Sequence, residues 1–159
     1  MTIQVGEVGR KRERVQYVPV FRVQLVREGS TKTCNKELSS PSAAADIMQD
    51  YIGDTDREIF VVAMLDTKNK VIGINTVAVG SLNSTIVHPR EVLKPAILAN
   101  AAGIIVGHNH PSGDLTPSLE DMSVTERLGE ACKIVGINLL DHVIIGDGQY
   151  LSFKERGFL

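Results

Sequence analysis

The stretch that decides the fold is GIIVGHNHPSGDLTPSLED, residues 103–121. Its apolar start at 103–106 predicts a short, buried core strand. A loop rich in proline, serine and glycine follows at 109–117. Thr116-Pro117 then predicts an N-cap and a first-turn proline at the start of a long helix. The stretch therefore predicts a strand, a loop and a helix in succession, which is the repeating unit of an α/β protein.

Sequence on both sides extends this pattern, but hairpins interrupt the alternation of strands and helices. The run EIFVVAML at 58–65 is apolar at every position after Glu58, which predicts a strand buried on both faces, and the polar run at 66–70 predicts a hairpin turn. The other predicted elements of this region are strands at 71–79, 137–145 and 150–153 and a helix that begins at Pro89. We therefore expect an α/β fold with a three-layer mixed β-sheet flanked by helices.

The N-terminal third has a different organisation. Residues 17–26 (YVPVFRVQLV) alternate apolar and polar side chains, which predicts a half-buried strand, and a polar link follows. Ser40-Pro41 predicts the start of a helix near 41–52. We expect an N-terminal arm over 1–54, made of strand, polar link and helix, and a core domain over 55–159. The predicted strand could pair with the sheet edge of a second copy, so a homodimer is one expectation.

Composition limits the class of protein. With 159 residues, 43% hydrophobic and 23% charged, the chain has the balance of one globular domain with a short arm. The longest uninterrupted apolar run, 59–65, falls far short of the ~20 residues that span a bilayer, so no membrane association is expected. Cys34 and Cys132 cannot build a disulfide framework, and the first twenty residues show no apolar signal region. These features predict reduced thiols in the cytoplasm.

The charge distribution argues against a dedicated nucleic-acid-binding domain. The net charge is −2, with a weakly basic front and an acidic back, and the only basic cluster is at 10–14. A cluster of this kind is either solvated or a contact for a phosphate or a partner.

The chemistry is concentrated between His108 and Asp121. Residues two apart in an extended chain share a face, so the imidazoles of His108 and His110 can converge on one point. Asp121 falls in or just after the first turn of the predicted helix, from where its carboxylate can turn back towards them. Two imidazoles and one carboxylate, with a fourth position open, are the arrangement of catalytic zinc.

The spacing His-x-His, seven residues, Ser118, two residues, Asp121 resembles the JAMM (MPN-plus) metalloprotease signature. The wider sequence is similar to the RadC branch of that family in the following strings: GSLNSTIVHPRE at 80–91, GHNHPSGD at 107–114, PSLED at 117–121 and LLDHVIIG at 139–146. The resemblance covers about 55–159 and lacks the N-terminal helix-hairpin-helix region that RadC proteins often carry. It implies the JAB/MPN (cytidine deaminase-like) architecture.

The resemblance also implies residue roles. The family pattern has a glutamate ahead of the first core strand, and Glu58 is the matching position, with Glu91 as its competitor. The implied activity is zinc-dependent hydrolysis of a peptide or isopeptide bond in a protein substrate, with one zinc ion per chain. Glu58 would act as general base on a zinc-activated water. Ser118 would hydrogen-bond the developing oxyanion or hold the substrate carbonyl beside the metal.

Plainer interpretations stand beside these roles. Asp121 could be an acid that favours the helix dipole, with Asp114 as the alternative ligand. Ser118 could serve only as a helix cap. Asp141 and His142 are adjacent in a predicted strand, so their side chains point to opposite faces. We expect Asp141 to be the one that has a structural or supporting role.

Two other functions remain open. The chain could be a DNA-repair- or replication-associated binding module that keeps the metal site for structure, with DNA contacts from Arg10, Lys11 and Arg12. A nuclease is disfavoured, because phosphoryl transfer often uses two metals held by several carboxylates and only one acidic ligand is evident. Substrate specificity is expected in the loops at 80–88 and 109–117 and in residues 1–40.

Overall fold

One mixed sheet organises the molecule. The computed structural model describes residues 17–33, 37–80 and 87–159. Its strands lie in the order β2-β1-β3-β4-β5, with β3 and β4 parallel and all other neighbours antiparallel. The elements are α1 (Pro41–Ile52), β1 (Ile59–Leu65), β2 (Val71–Val79), α2 (Pro89–Leu98), β3 (Gly103–Asn109), α3 (Leu119–Val135), β4 (Asn138–Gly146), β5 (Gln149–Ser152) and α4 (Phe153–Arg156).

The central strand β1 shows why the fold has three layers. Phe60 and Val62 point to one side of the sheet, where they pack with apolar residues of α2 and α3. Val61 and Ala63 point to the other side, where they pack with apolar residues of α1. A strand with a helix layer on each face must be apolar at every position, as the run at 58–65 predicted. The predicted three-layer α/β fold is therefore confirmed.

Helix α1 forms one complete layer. Ser40 caps it by accepting a hydrogen bond from the backbone of Ala43, and Gly53 ends it. A Cβ placed on Gly107 of β3 would lie 2.2 Å from the sulfur of Met48, so α1 approaches the sheet through this glycine. The helix that the sequence placed in the arm thus packs on the sheet, and the division into 1–54 and 55–159 stays a prediction.

The predicted strand at 17–26 is wrong. Residues 17–33 form neither helix nor strand, and Tyr17, Val20 and Phe21 are 83–97% exposed. Alternating side chains predict a strand only where a neighbouring strand supplies hydrogen bonds, and none of the described strands pairs with this segment. The chain joins the fold at Leu38, whose N–H donates to the carbonyl of Asn69 at 2.9 Å.

The start of one helix and the end of one strand differ from their predictions. Helix α3 begins at Leu119, so Pro117 precedes it and Ser118, rather than Thr116, is the N-cap. The backbone N–H of Thr116 donates instead to the Asp114 side chain at 2.9 Å. The short helix α4 replaces the end of the strand predicted at 150–153. Within residues 17–33, 37–80 and 87–159, no helix has the length and apolar character needed to cross a membrane.

Candidate metal centre

The carboxyl end of β3 presents the two histidines. His108 is fully buried, and His110 follows the strand, where its N–H donates to the carbonyl of Ile145 at 2.8 Å. The loop then turns tightly against the end of β4, because a Cβ on Gly146 would lie 3.1 Å from the backbone of Gly113. Gly113 has φ +78°, a conformation that glycine adopts readily. Both imidazoles therefore lie on one face at a fixed strand end.

The start of α3 supplies the carboxylate. Asp121 is fully buried, and its Oδ2 accepts hydrogen bonds from the N–H and the hydroxyl of Ser118, both at 2.8 Å. Ser118 Oγ in turn accepts from the N–H of Asp121, which completes a capping box. Asp121 Oδ1 is the single buried side-chain nitrogen or oxygen of the described residues that has no hydrogen-bond partner.

The ligand atoms of these three side chains lie close enough together to hold a metal ion. His108 Nε2 lies 3.0 Å from His110 Nε2 and 3.1 Å from Asp121 Oδ1, and His110 Nε2 lies 3.7 Å from Asp121 Oδ2. Ligand atoms bonded tetrahedrally to a zinc-sized ion at 2.0–2.1 Å are about 3.3 Å apart. The group could therefore hold a metal ion, and the unpartnered Oδ1 is the carboxylate atom that fits this role.

The ligand set is electrostatically coupled. Burial raises the pKa of the Asp121 carboxyl, but His108 and His110 oppose this effect and bring that pKa well below its usual range. The Asp121 carboxylate raises the pKa of His110 against the effect of partial burial. A negative charge is thus held beside two imidazoles, which is an environment that attracts a cation.

The loop after β3 orients the second imidazole. His110 Nδ1 contacts the backbone carbonyl of Asp114, and a carbonyl can only accept, so Nδ1 carries the hydrogen. The Nε2 of neutral His110 is then free for a metal. Asp114, the alternative ligand, is exposed, and its carboxylate accepts from the backbone of Thr116. The structure therefore brings Asp121, and not the Asp114 side chain, into the candidate site.

Glu58 lies beside this group. The register of β1 and β3 pairs Phe60 with His108. Glu58 lies two residues before Phe60 and just ahead of the first residue of β1, so continued strand alternation would put its side chain on the same face as the imidazole of His108. The charge of half-buried Glu58 contributes to the raised pKa of His110. Its catalytic role stays a prediction.

Asn109 holds the backbone on both sides of Glu58. Its Oδ1 accepts from the N–H of Ile59 at 2.7 Å, and its Nδ2 donates to the carbonyl of Arg57 at 2.9 Å. The side chain that alternates with the two histidines thus fixes the segment that carries the predicted base. Asn109 is not among the site residues predicted from the sequence.

The competing acid Glu91 lies at the exposed start of α2. Its carboxylate is 2.7 Å from Lys94 Nζ and 3.4 Å from Arg90 Nε. The hydrogen bond from Lys94 lowers the pKa of Glu91, and Arg90 contributes in the same direction. A general base works best with a pKa near the working pH, so this environment does not favour Glu91 as a base.

Asp141 and His142 do point to opposite sides of β4, and the predicted structural role of Asp141 agrees with its contacts. Its Oδ2 accepts from Ser152 Oγ at 2.6 Å, and its Oδ1 accepts from the backbone of Lys154 at 3.0 Å, which joins β4 to α4. His142 supports the candidate ligand His108, a role that was not predicted from the sequence. Its Nε2 lies 2.9 Å from His108 Nδ1, and its Nδ1 lies 2.6 Å from Thr125 Oγ1.

Some predictions concern residues outside the ranges described, namely Cys34, the basic cluster at 10–14 and most of the loop at 80–88. Cys132 is buried in the core, and this burial raises the pKa of its thiol, as expected for an inert cysteine.

Known proteins are similar to this chain in sequence. The RadC-like JAB domain family matches residues 38–158, which include β1, the two histidines and Asp121. The chain belongs to this family. The fold and the resemblance stated above are thereby confirmed, and this RadC-like JAB domain has a candidate metal centre at the end of β3.

Three curated relatives of this RadC-like JAB domain are each named as a UPF0758 protein. One from Methanosarcina mazei is 43% identical over 157 residues, which cover 99% of this chain and 68% of the relative. One from Caldanaerobacter subterraneus subsp. tengcongensis is 52% identical over 129 residues, or 81% of this chain and 55% of the relative. One from Clostridium acetobutylicum is 54% identical over 123 residues, or 77% of this chain and 54% of the relative. The chain thus spans little more than half the length of the bacterial relatives.

Proposed function

We propose that this RadC-like JAB domain is a zinc-dependent hydrolase that cleaves a peptide or isopeptide bond. The observation that carries the proposal is the buried Oδ1 of Asp121, which lacks a hydrogen-bond partner and faces His108 Nε2. A buried acceptor without a partner costs about 1–3 kcal/mol, and a bound cation removes this cost. Two imidazoles and one carboxylate suit zinc and leave a fourth position for chemistry.

The orientation of His110 supports the same proposal. Its Nδ1 is occupied by the carbonyl of Asp114, so the ring can present an unprotonated Nε2. Metal-binding histidines commonly donate their other ring N–H to a carbonyl or a carboxylate in this way. A core histidine that needed only a hydrogen-bond partner would not also face a second imidazole and an unpartnered carboxylate oxygen.

Zinc, when bound, supplies Lewis-acid chemistry, because it lowers the pKa of a water to about 7 and polarises a carbonyl. His108, His110 and Asp121 would hold the zinc ion, and Glu58, whose charge acts on His110, would accept a proton from the attacking water. As the oxygen of that water adds to the carbonyl carbon and the carbon–nitrogen bond breaks, Glu58 would return the proton to the leaving amine. The products are one carboxylic acid and one amine, so atoms and charge balance.

Ser118 has a structural role, because it caps α3 and its hydroxyl donates a hydrogen bond to Asp121 Oδ2. In the proposed reaction its hydroxyl also hydrogen-bonds the developing oxyanion or the substrate carbonyl. Because one hydroxyl has a single hydrogen, this second role requires that Ser118 Oγ turn its hydrogen from Asp121 to the substrate.

Metal content tests the first half of the proposal. We expect one zinc per chain by elemental analysis after exposure to Zn²⁺ and removal of the excess. His108→Ala and Asp121→Ala should lose it. His88→Ala is the matched control, because His88 is exposed at the start of α2 and makes no side-chain cap hydrogen bond. A folded wild type that binds no zinc would contradict the proposal.

Hydrolysis tests the second half. The zinc-loaded protein is incubated with a pool of peptides and with peptides joined through a lysine Nε amide, and new termini are identified by mass spectrometry. Glu58→Gln should keep the zinc and lose at least about 100-fold of the rate, in the range for general base catalysis. Glu91→Gln, the control, should keep both. Equal rates for Glu58→Gln and wild type would exclude Glu58 as the base.

DNA association and homodimer formation stay predictions. The basic residues expected to contact DNA lie at 10–14, outside the described ranges, and the segment expected to pair with a second copy forms no strand at 17–26. Neither expectation gains support from the site described above.

A further inference from the structure

A chain of three hydrogen bonds connects one candidate ligand with the backbone of another. His108 Nδ1 lies 2.9 Å from His142 Nε2, and His142 Nδ1 lies 2.6 Å from Thr125 Oγ1. Thr125 Oγ1 lies 2.6 Å from the backbone carbonyl oxygen of Asp121. The chain therefore starts at a ring on β3, passes through a ring on β4 and ends in the first turns of α3.

The carbonyl at the end of this chain determines the direction of every bond. Two oxygens 2.6 Å apart need a hydrogen between them, and a carbonyl has none, so Thr125 donates its hydroxyl hydrogen to Asp121. Thr125 Oγ1 must then accept from His142, which places a hydrogen on His142 Nδ1. The buried ring of His142 has no acidic group among its hydrogen-bond partners, so it is neutral and its Nε2 is an acceptor. His108 Nδ1 must therefore donate.

We infer that Thr125 and His142 are positioning residues for the metal centre, because they hold His108 in the tautomer whose Nε2 lone pair faces His110 and Asp121. The inference rests on the proposed metal site. It goes beyond that site because it assigns roles to two residues that do not face the metal position. The backbone of Asp121 thus helps to set which nitrogen of His108 is free to bind.

The surroundings of His142 keep the chain in place. Its ring stacks on Phe153 with centroids 4.5 Å apart and an interplanar angle of 23°, and Phe60 packs at its edge with centroids 5.6 Å apart. Phe60 also stacks on His108 at 5.8 Å. Turning the His142 ring over would put carbon atoms opposite Thr125 and His108 in a fully buried site, which would leave buried polar atoms unpartnered.

Thr125→Val is the direct perturbation, because it keeps the shape of the side chain and removes the hydroxyl. His142 then has no acceptor for a hydrogen on Nδ1, and the hydrogen is better placed on Nε2, where it can donate to His108. His108 Nδ1 becomes an acceptor, and its hydrogen moves to Nε2, the atom needed for zinc. Thr125→Ser keeps the hydroxyl and is the matched control.

The first measurement is NMR of the histidine ring nitrogens in the metal-free wild type, which distinguishes a protonated nitrogen from an unprotonated one. We expect His142 to carry its hydrogen on Nδ1 and His108 to carry one on its Nδ1. A wild-type protein with His142 protonated on Nε2 would overturn the inference. This measurement needs no bound metal and no activity, so it remains decisive if Thr125→Val does not fold.

The second measurement is zinc affinity by competition with a chelating dye, together with the visible absorption of the Co²⁺-substituted protein. Thr125→Val should bind zinc about 10- to 100-fold more weakly than wild type and change the Co²⁺ spectrum. Thr125→Ser should have the zinc affinity and the Co²⁺ spectrum of wild type. Equal affinities for Thr125→Val and wild type would refute the positioning role. If wild type itself binds no zinc, the proposed function fails, while the NMR result still decides the hydrogen-bond chain.

Discussion

Gly107→Ala should destabilise the protein, because α1 packs directly on this part of β3. The added Cβ would lie 2.2 Å from Met48 Sδ and 3.0 Å from the carbonyl oxygen of Val143. Met48 is fully buried, so its sulfur cannot move away without repacking its neighbours, and the Val143 oxygen belongs to the backbone of β4. Neither atom can give way at low cost.

The expected magnitude follows from overpacking, which costs about 1–3 kcal/mol in a well-packed core. For a domain of this size, each kcal/mol lowers Tm by roughly 2–4 °C, so a cost of about 2 kcal/mol lowers Tm by roughly 4–8 °C. Thermal unfolding followed by circular dichroism measures the shift. Urea unfolding should show a lower midpoint with an unchanged slope, because the surface exposed on unfolding stays the same.

Gly129→Ala is the control, because the same chemical change should have the opposite sign. Gly129 lies within α3, and a Cβ there meets nothing within 4 Å. Alanine in a helix interior is favoured over glycine by roughly 0.5–1 kcal/mol, so Tm should rise slightly. A Gly107→Ala protein with the wild-type Tm would refute the close packing of α1 on β3.

Three further predictions concern the site. Asn109→Ala should lower the unfolding free energy by about 1–3 kcal/mol in urea titrations, because Ile59 and Arg57 lose their hydrogen-bond partner; an unchanged midpoint would contradict this. Ser118→Ala should cost about 1 kcal/mol through loss of the α3 cap, again by urea unfolding, and a neutral effect would show that the cap is dispensable. Zinc affinity measured across pH should fall about tenfold per pH unit below the pKa of His110, because zinc must displace one proton. Since that pKa is raised, the fall should begin above pH 6.5, and an affinity that stays flat there would exclude this competition.

Much of the fold could be predicted from local sequence, because the strong signals are local. The apolar run of β1 needs helices on both faces, and the cap at Ser40 and the stop at Gly53 bound α1. The segment at 17–26 could not be judged in this way. Its alternating pattern leads to a strand only if another strand lies beside it. Whether one does depends on the rest of the fold and cannot be read from the residues of this segment.

The start of α3 shows a competition between two local signals. Thr116-Pro117 has the form of a cap followed by a first-turn proline, yet Ser118 and Asp121 form a reciprocal capping box two residues later. The box satisfies two backbone N–H groups, whereas Thr116 is engaged by the Asp114 side chain. The helix therefore starts where more of its unpaired donors find partners.

The candidate ligands could be predicted from spacing, because strand and helix periodicities place them. Their supports could not. His142 contacts His108, and Thr125 contacts His142, only because β4 lies parallel to β3 and α3 connects the two strands, so these contacts depend on strand order. Thr125 did carry a faint signal, since it lies four residues after Asp121 and therefore on the same side of α3.

The tripeptide His108-Asn109-His110 limits how this site can change during evolution. Its outer members face the candidate metal position, while its middle member grips the chain around Glu58. Inserting or deleting one residue upstream in β3 would turn the two imidazoles to the opposite face of the sheet. The same change would turn Asn109 away, and the backbone around Glu58 would lose its hydrogen bonds. The positions of the two histidines and of Glu58 therefore depend on one another. We expect β3 to tolerate substitutions during evolution but not insertions or deletions.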